Sequence, residues 1–174
     1  RFDEQGILHI SNEGETFMGW FKNEEAQPTW TAIWTHGVSK FSWLDDVLPS
    51  LLEKTAINAV INPLTAIHKI SNGELLSKTM EEIRIRVTSE IQALLYATGE
   101  NNIASRLPLR VEQVCRLTST NHSSMRVDLE FGRKTEIDSI VTWLLDSNAS
   151  LENPPHTPTL LMLRDKIKKA EPKS

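Results

Sequence analysis

The segment Lys54-Thr55-Ala56-Ile57-Asn58-Ala59-Val60-Ile61-Asn62-Pro63 decides how the chain is read. Its polar residues Lys54, Asn58 and Asn62 recur every four positions. On an α-helix each step of four turns about 400°, so the three side chains fan over about 80° and span roughly 12 Å of one face, the width of a small ligand. The residues between them are Thr, Ala, Ile and Val. Such a helix is apolar or small on its other faces and is expected to be buried. Buried amides and a buried ammonium need partners, which come either from the protein or from a polar substrate. A lysine held in a partly dry cleft has its pKa lowered toward the working range of a proton donor, whereas one at the helix edge can snorkel into water. A structural reading stands beside the functional one. Asn62 ahead of Pro63 makes a good N-cap with proline at the first helical position, which would put a kink or a restart there.

Outward from this segment the chain changes character near Asp45. Residues 7–10 and 15–20 flank Asn12-Glu13-Gly14 and predict a hairpin, residues 39–43 a further short strand, and residues 28–36 a short helix ended by Gly37. From Asp46 onward the pattern is helical. Met80, Ile83, Val87, Ile91, Leu94 and Leu95 repeat at threes and fours up to Gly99, which suits a C-terminal stop, with Glu81, Glu82, Arg84, Arg86 and Glu90 as the wet face. Further helices are expected near residues 110–117, 124–130, 136–145 and 159–169, with residues 147–158 as a proline-rich loop before the last. No internal repeat or low-complexity tract interrupts this order.

At 174 residues the chain can hold one domain with a proper core, or a domain plus part of another. A net charge of −4 argues against nucleic acid or an anionic membrane as partner, because both want a basic face. The single cysteine, Cys115, allows no intrachain disulfide, and no stretch reads as a signal peptide or a membrane span. The default compartment is therefore a reducing cytoplasm. The five histidines, at 9, 36, 68, 122 and 156, have no ligand spacing, so no metal site is expected.

Three further motifs carry candidate chemistry, each with a plain structural alternative. Asn72-Gly73 is an ordinary turn pair. Ser123 or Ser124 can cap a helix beginning near Met125. Thr135 with Asp138 three residues on makes a capping pair, which would leave Glu136 a first-turn acid favoured by the helix dipole. Arg133 is placed to pair with Asp128 or Glu130.

Taken together, Lys54-x3-Asn58-x3-Asn62-Pro63-Leu64-Thr65-Ala66-Ile67, then Asn72-Gly73-Glu74-Leu75, then Ser123-Ser124-Met125-x2-Asp128, then Arg133-x-Thr135-Glu136-Ile137-Asp138, resemble the C-terminal half of the ketopantoate reductases (2-dehydropantoate 2-reductases). The resemblance runs from about Gly6 to Lys169. It implies a mainly α fold: an all-helical domain like that of 6-phosphogluconate dehydrogenase over residues 45–174, with residues 1–44 as the β remnant of an NADPH-binding domain. It also implies a parent enzyme that reduces 2-dehydropantoate with NADPH in the pantothenate route to coenzyme A. By resemblance, Lys54 is the proton donor to the alkoxide left by hydride transfer. Asn58, Asn62 and Asn72 hold the substrate's hydroxyl and carbonyl, Ser124 its carboxylate, and Glu136 touches the coenzyme. The seven glycines, at 6, 14, 19, 37, 73, 99 and 132, form no Gly-x-Gly-x-x-Gly turn. NADPH is therefore not expected to bind this chain by itself, and the start at Arg1 suggests an excised or proteolysed piece of a longer protein.

The sequence departs from the family pattern twice. Many members continue Thr-Glu-Ile-Asp with Asn-Gly after two more residues, where this chain has Val141-Thr142, and the family's Pro-x-Asn before the last helix reads Pro155-His156-Thr157. Neither change touches the Lys-Asn-Asn face, so the reaction type carries over better than the identity of the 2-oxo acid. Two alternatives accompany the main reading: a paralogous reductase of another branched 2-oxo acid, and a non-catalytic, oligomerising helical module. A glycine-rich fingerprint upstream in the open reading frame would favour the enzymes, and a frame starting near Arg1 the module. Unpaired strand edges and the tryptophans Trp20, Trp30, Trp34 and Trp43 make self-association, with a homodimer as its simplest form, an expectation.

Overall fold

A computed structural model of the chain describes residues 15–21, 26–37 and 40–172. The expected strand at residues 7–10 and its turn at Asn12-Glu13-Gly14 lie outside them. The chain divides into two compact units, Arg1–Leu52 and Glu53–Ser174.

In the first unit, β1 (Thr16–Gly19) pairs with β2 (Phe41–Leu44) in parallel, with Thr16 opposite Phe41 and Gly19 opposite Leu44. Parallel neighbours cannot be joined by a tight turn, so a crossover is required. A 3-10 turn at Thr29–Thr31 running into α1 (Ala32–Gly37) supplies its helical part. Trp20 and Trp43 meet edge to face with ring centroids 5.8 Å apart, and both are half-buried. Trp30 and Trp34 stay 53% and 43% exposed.

The second unit is built around α2 (Leu48–His68), whose last four turns belong to it. Every residue from Ala56 to Ala66 except Asn58 is buried. The helix runs unbroken through Pro63, so Asn62 neither caps nor restarts a helix. A proline inside a helix costs about 3 kcal/mol. Burying Val60, Ile61 and Leu64, each 2% exposed or less, contributes about 1.5–3 kcal/mol per side chain, and the sum exceeds that cost.

After a 3-10 turn at Gly73–Leu76 come α3 (Lys78–Ala97) and α4 (Asn101–Leu117). The two run antiparallel, because Gln92 Nε2 donates to the Ala104 carbonyl at 2.8 Å while Arg84 pairs with Glu112 at 3.4 Å. Between them the Glu100 amide donates to the Leu95 carbonyl at 2.8 Å and the Gly99 amide to Tyr96 at 3.1 Å, with Gly99 at φ +84°. That Schellman closure is the stop which Gly99 predicts, and it needs a left-handed residue.

α5 (Ser124–Glu130) follows, then a π-helical turn at Asp138–Thr142 leading into α6 (Trp143–Ala149), and finally α7 (Pro158–Ala170). α7 packs on α3 and on the π-helical turn. Its buried positions Leu160, Leu163 and Ile167 keep helical spacing. Glu90, expected on the wet face of α3, is instead 8% exposed: its Oε1 accepts from the Thr159 amide at 2.9 Å and its Oε2 from the Leu160 amide at 2.8 Å. Two free amides at the start of a helix make a ready site for a buried carboxylate. Among the described residues the architecture is mainly α with a two-stranded parallel sheet, and no described helix is long and apolar enough to cross a membrane.

Candidate active site

The polar face of α2 grades from water into the interior. Lys54 is exposed, Asn58 half-buried, and Asn62 only 6% exposed one further turn along. Lys54 is thus not the buried ammonium that the sequence suggests. Its neighbour Glu53 takes ion pairs from Arg106 at 2.9 Å and Arg110 at 3.3 Å, which ties α2 to α4 and leaves the Lys54 ammonium without an ion pair among the described residues. Neither the Asn58 nor the Asn62 side chain has a hydrogen-bond partner among the described residues. An amide that both donates and accepts, with nothing opposite it, is suited to a ligand's hydroxyl or carbonyl.

Asn72 sits where the chain docks on the loop after α4. Its amide donates to the Asn121 carbonyl at 2.9 Å, and the Gly73 amide to Ser119 at 3.0 Å. A Cβ on Gly73 would lie 2.8 Å from Ser119 Cβ and 2.9 Å from the Ser119 carbonyl oxygen, so only glycine fits that approach. The Asn72 side chain donates from Nδ2 to Thr118 Oγ1 at 2.9 Å, while its buried Oδ1 has no partner. Half of this amide therefore serves the fold, and the other half is an orphaned acceptor.

Ser123 and Ser124 divide their roles. Ser123 is buried and caps α5 by accepting from the Arg126 amide at 3.2 Å; it also accepts from Thr65 Oγ1 at 2.7 Å. Ser124 is exposed at the first position of α5. The Thr65–Ser123 bond joins α2, one turn past Asn62, to the residue beside Ser124, and so couples two of the sequence motifs directly. Thr65 stands inside the quoted Asn-Pro-Leu-Thr run, but nothing in the run tells which residue it meets 58 positions later.

Around Glu136 the expected capping pair of Thr135 and Asp138 does not form. The Thr135 amide and hydroxyl both donate to Glu171 Oε1, at 2.8 and 2.7 Å, and Thr135 Oγ1 accepts from the Ile137 amide at 3.2 Å. Asp138 is engaged by Lys168 at 2.6 Å and by Thr142 Oγ1 at 2.7 Å. A cation offers Asp138 a stronger, charge-assisted partner than a backbone amide does, which is why the local cap is replaced. Those two bonds hold the Asp138 carboxyl below its ordinary range, the Lys168 bond most. Glu136 is exposed, and its carboxylate accepts no hydrogen bond among the described residues. Arg133 pairs with Asp128 at 2.9 Å rather than with Glu130, which takes Arg126 at 2.7 Å.

Among the described residues no group of three His, Cys, Asp or Glu is arranged to hold a metal ion. Cys115 is buried, and burial pushes its thiol up to about 11, so it is no nucleophile.

Residues 46–171 match the family described as "Ketopantoate reductase PanE/ApbA C terminal". The chain belongs to that family. A curated relative from Salmonella typhimurium, named 2-dehydropantoate 2-reductase, is 36% identical over 146 residues, which cover 83% of this chain and 47% of the relative. A second of the same name from Listeria monocytogenes is 42% identical over 123 residues, 70% of this chain and 37% of the relative. Among solved structures, a probable 2-dehydropantoate 2-reductase from Bacillus subtilis superposes with a TM-score of 0.71 at 29% identity, over 91% of this chain and 54% of that one. A PanE/ApbA family ketopantoate reductase from Ralstonia eutropha reaches 0.74 at 22% identity, over 91% and 52%, and agrees in fold. The chain spans about half the length of the Salmonella relative it matches.

Where the chain departs from the family pattern, Val141 is fully buried, and Thr142 is half-buried with its hydroxyl turned to Asp138. Thr157 is likewise buried.

Proposed function

We propose that this domain supplies the substrate side of an NADPH-dependent reductase that converts 2-dehydropantoate to pantoate, with residues 1–44 belonging to the coenzyme-binding part of the same protein and residues 45–174 to the helical domain. The observation that carries the reading is the face of α2: one unpaired ammonium at the rim and two unpartnered amides leading inward, on the helix that the family's motif occupies.

The nicotinamide supplies a hydride to the 2-oxo carbon, and the chemistry left to this chain is binding and protonation. Lys54 polarises the carbonyl oxygen and gives its proton to the alkoxide that forms there. Asn58 and Asn62 hold the substrate's hydroxyl and carbonyl, and the orphaned Oδ1 of Asn72 accepts from a substrate hydroxyl. Ser124 donates its hydroxyl to the substrate carboxylate, steadied through Ser123 and Thr65. Glu136 accepts from the coenzyme.

A second reading, reduction of another branched 2-oxo acid, is favoured by one feature: an apolar Val141 and a Thr142 stand where many members carry Asn-Gly. Steady-state reduction of a panel of branched 2-oxo acids by the full-length protein with NADPH separates the two. Ketopantoate is expected to give the highest kcat/KM. A different acid ahead of it would transfer the assignment to the second reading, and no NADPH oxidation with any of them would overturn both.

A further inference from the structure

The coenzyme role given to Glu136 above leaves open what aims an exposed side chain that has no partner of its own. Its two flanks are tied down, both by the C-terminal end of α7. Glu171 Oε1 takes the amide and the hydroxyl of Thr135 at 2.8 and 2.7 Å, and Lys168 takes Asp138 at 2.6 Å. Thr135 Oγ1 passes the constraint on by accepting from the Ile137 amide at 3.2 Å. The residues immediately before and after Glu136 are thereby both held, and only its side chain is free.

α7 is itself anchored at its start, where Glu90 of α3 accepts from the Thr159 and Leu160 amides, and its own hydrogen-bond ladder runs on to the Glu171 amide, which donates to the Ile167 carbonyl at 3.1 Å. With Leu160, Leu163 and Ile167 buried along it, the helix is a strut roughly 20 Å long that carries the rigidity of the α3 core to the Thr135–Asp138 segment. We propose that Glu171 is a positioning residue: by holding both donors of Thr135 it fixes the backbone that presents the Glu136 carboxylate to the coenzyme. The proposal rests on the reading of Glu136 as the coenzyme contact.

The test is a double-mutant cycle in the full-length protein, read as the NADPH dissociation constant by calorimetry and paired with amide hydrogen exchange at Thr135. Glu171→Ala is expected to speed exchange of the Thr135 amide and to weaken NADPH binding roughly ten-fold, the scale set by a misaimed contact group. The KM for the 2-oxo acid should stay within about two-fold, since no substrate contact has moved. Glu171→Gln, whose amide oxygen still accepts both bonds, should bind NADPH like the unmodified protein. In a Glu136→Ala background, Glu171→Ala should add nothing further. Where Glu171→Ala does not fold, Thr135→Val reads the same contact, with a smaller loss expected because the amide bond survives. Unchanged NADPH affinity in Glu171→Ala, or an equal loss with and without the Glu136 carboxylate, overturns the positioning role. If Glu136→Ala alone leaves NADPH affinity unchanged, the reading of Glu136 falls instead.

Discussion

The Asp138 carboxylate ties the π-helical turn to α7 through Lys168. Lys168 first, then Thr142, hold its pKa below the ordinary value of 3.8. A carboxylate with a lower pKa folded than unfolded stabilises the fold above the ordinary value, and that contribution is lost as pH falls through the lowered one. Asp138→Asn should therefore lower the melting temperature at neutral pH, and the gap should close on acidification through the lowered pKa. A gap that persists unchanged into acid would show that the Lys168 pair contributes nothing through charge. At this scale the sequence was informative where chemistry follows the helix period. Lys54, Asn58 and Asn62 fall on one face because four residues are nearly one turn, and the structure adds only the gradient of burial along them. Glu90 and Glu171 were illegible for the opposite reason. Each looks like a surface acid beside its sequence neighbours, and each takes its meaning from amides 69 and 36 or more positions away.

Among the elements, α7 depends on a side chain outside itself. Glu90→Ala leaves the buried Thr159 and Leu160 amides without acceptors, a loss of about 1–3 kcal/mol for a buried donor left unmade. The exposed Glu82 of the same helix, which among the described residues pairs with Arg86 alone, at 2.7 Å, should cost no more than about 0.5 kcal/mol on changing to Ala. Urea unfolding of the two variants checks this, and equal midpoints would show that the Glu90 bonds do not hold α7. Element boundaries were legible where caps and stops are local, as at Ser123 and Gly99. They were obscured by proline twice. α2 passes through Pro63, and α4 begins at Asn101 although Pro108 lies inside it. In α4 the buried positions Ile103, Ala104, Leu107, Val111 and Cys115 keep helical spacing across the proline, so burial outweighed the local signal. The start of the next-to-last helix is a π-helical turn, which no residue-level propensity announces.

At the scale of the whole molecule, the mainly helical character of the second unit followed from periodicity, while the parallel pairing of β1 with β2 did not: the sequence marks residues 39–43 as a short strand but carries no local signal for which strand it pairs with across the helical segment. Parallel pairing through a helical crossover is the habit of larger coenzyme-binding sheets. It accords with the proposal that residues 1–44 belong to such a domain, and it means that the chemistry must be measured in the full-length protein. Lys54 is the proposed proton donor. Lys54→Ala should lower kcat by roughly 10²–10⁴-fold, because only water is then left to protonate the alkoxide. Lys54 is exposed and unpaired among the described residues, so the same variant should melt like the unmodified protein. Asn58→Ala, by contrast, should act mainly on the KM for the 2-oxo acid. The decisive measurement is kcat of Lys54→Ala at saturating NADPH and 2-oxo acid, taken alongside its thermal melt. A large fall in kcat with an unchanged melt is the result expected here, and a near-normal kcat would contradict it.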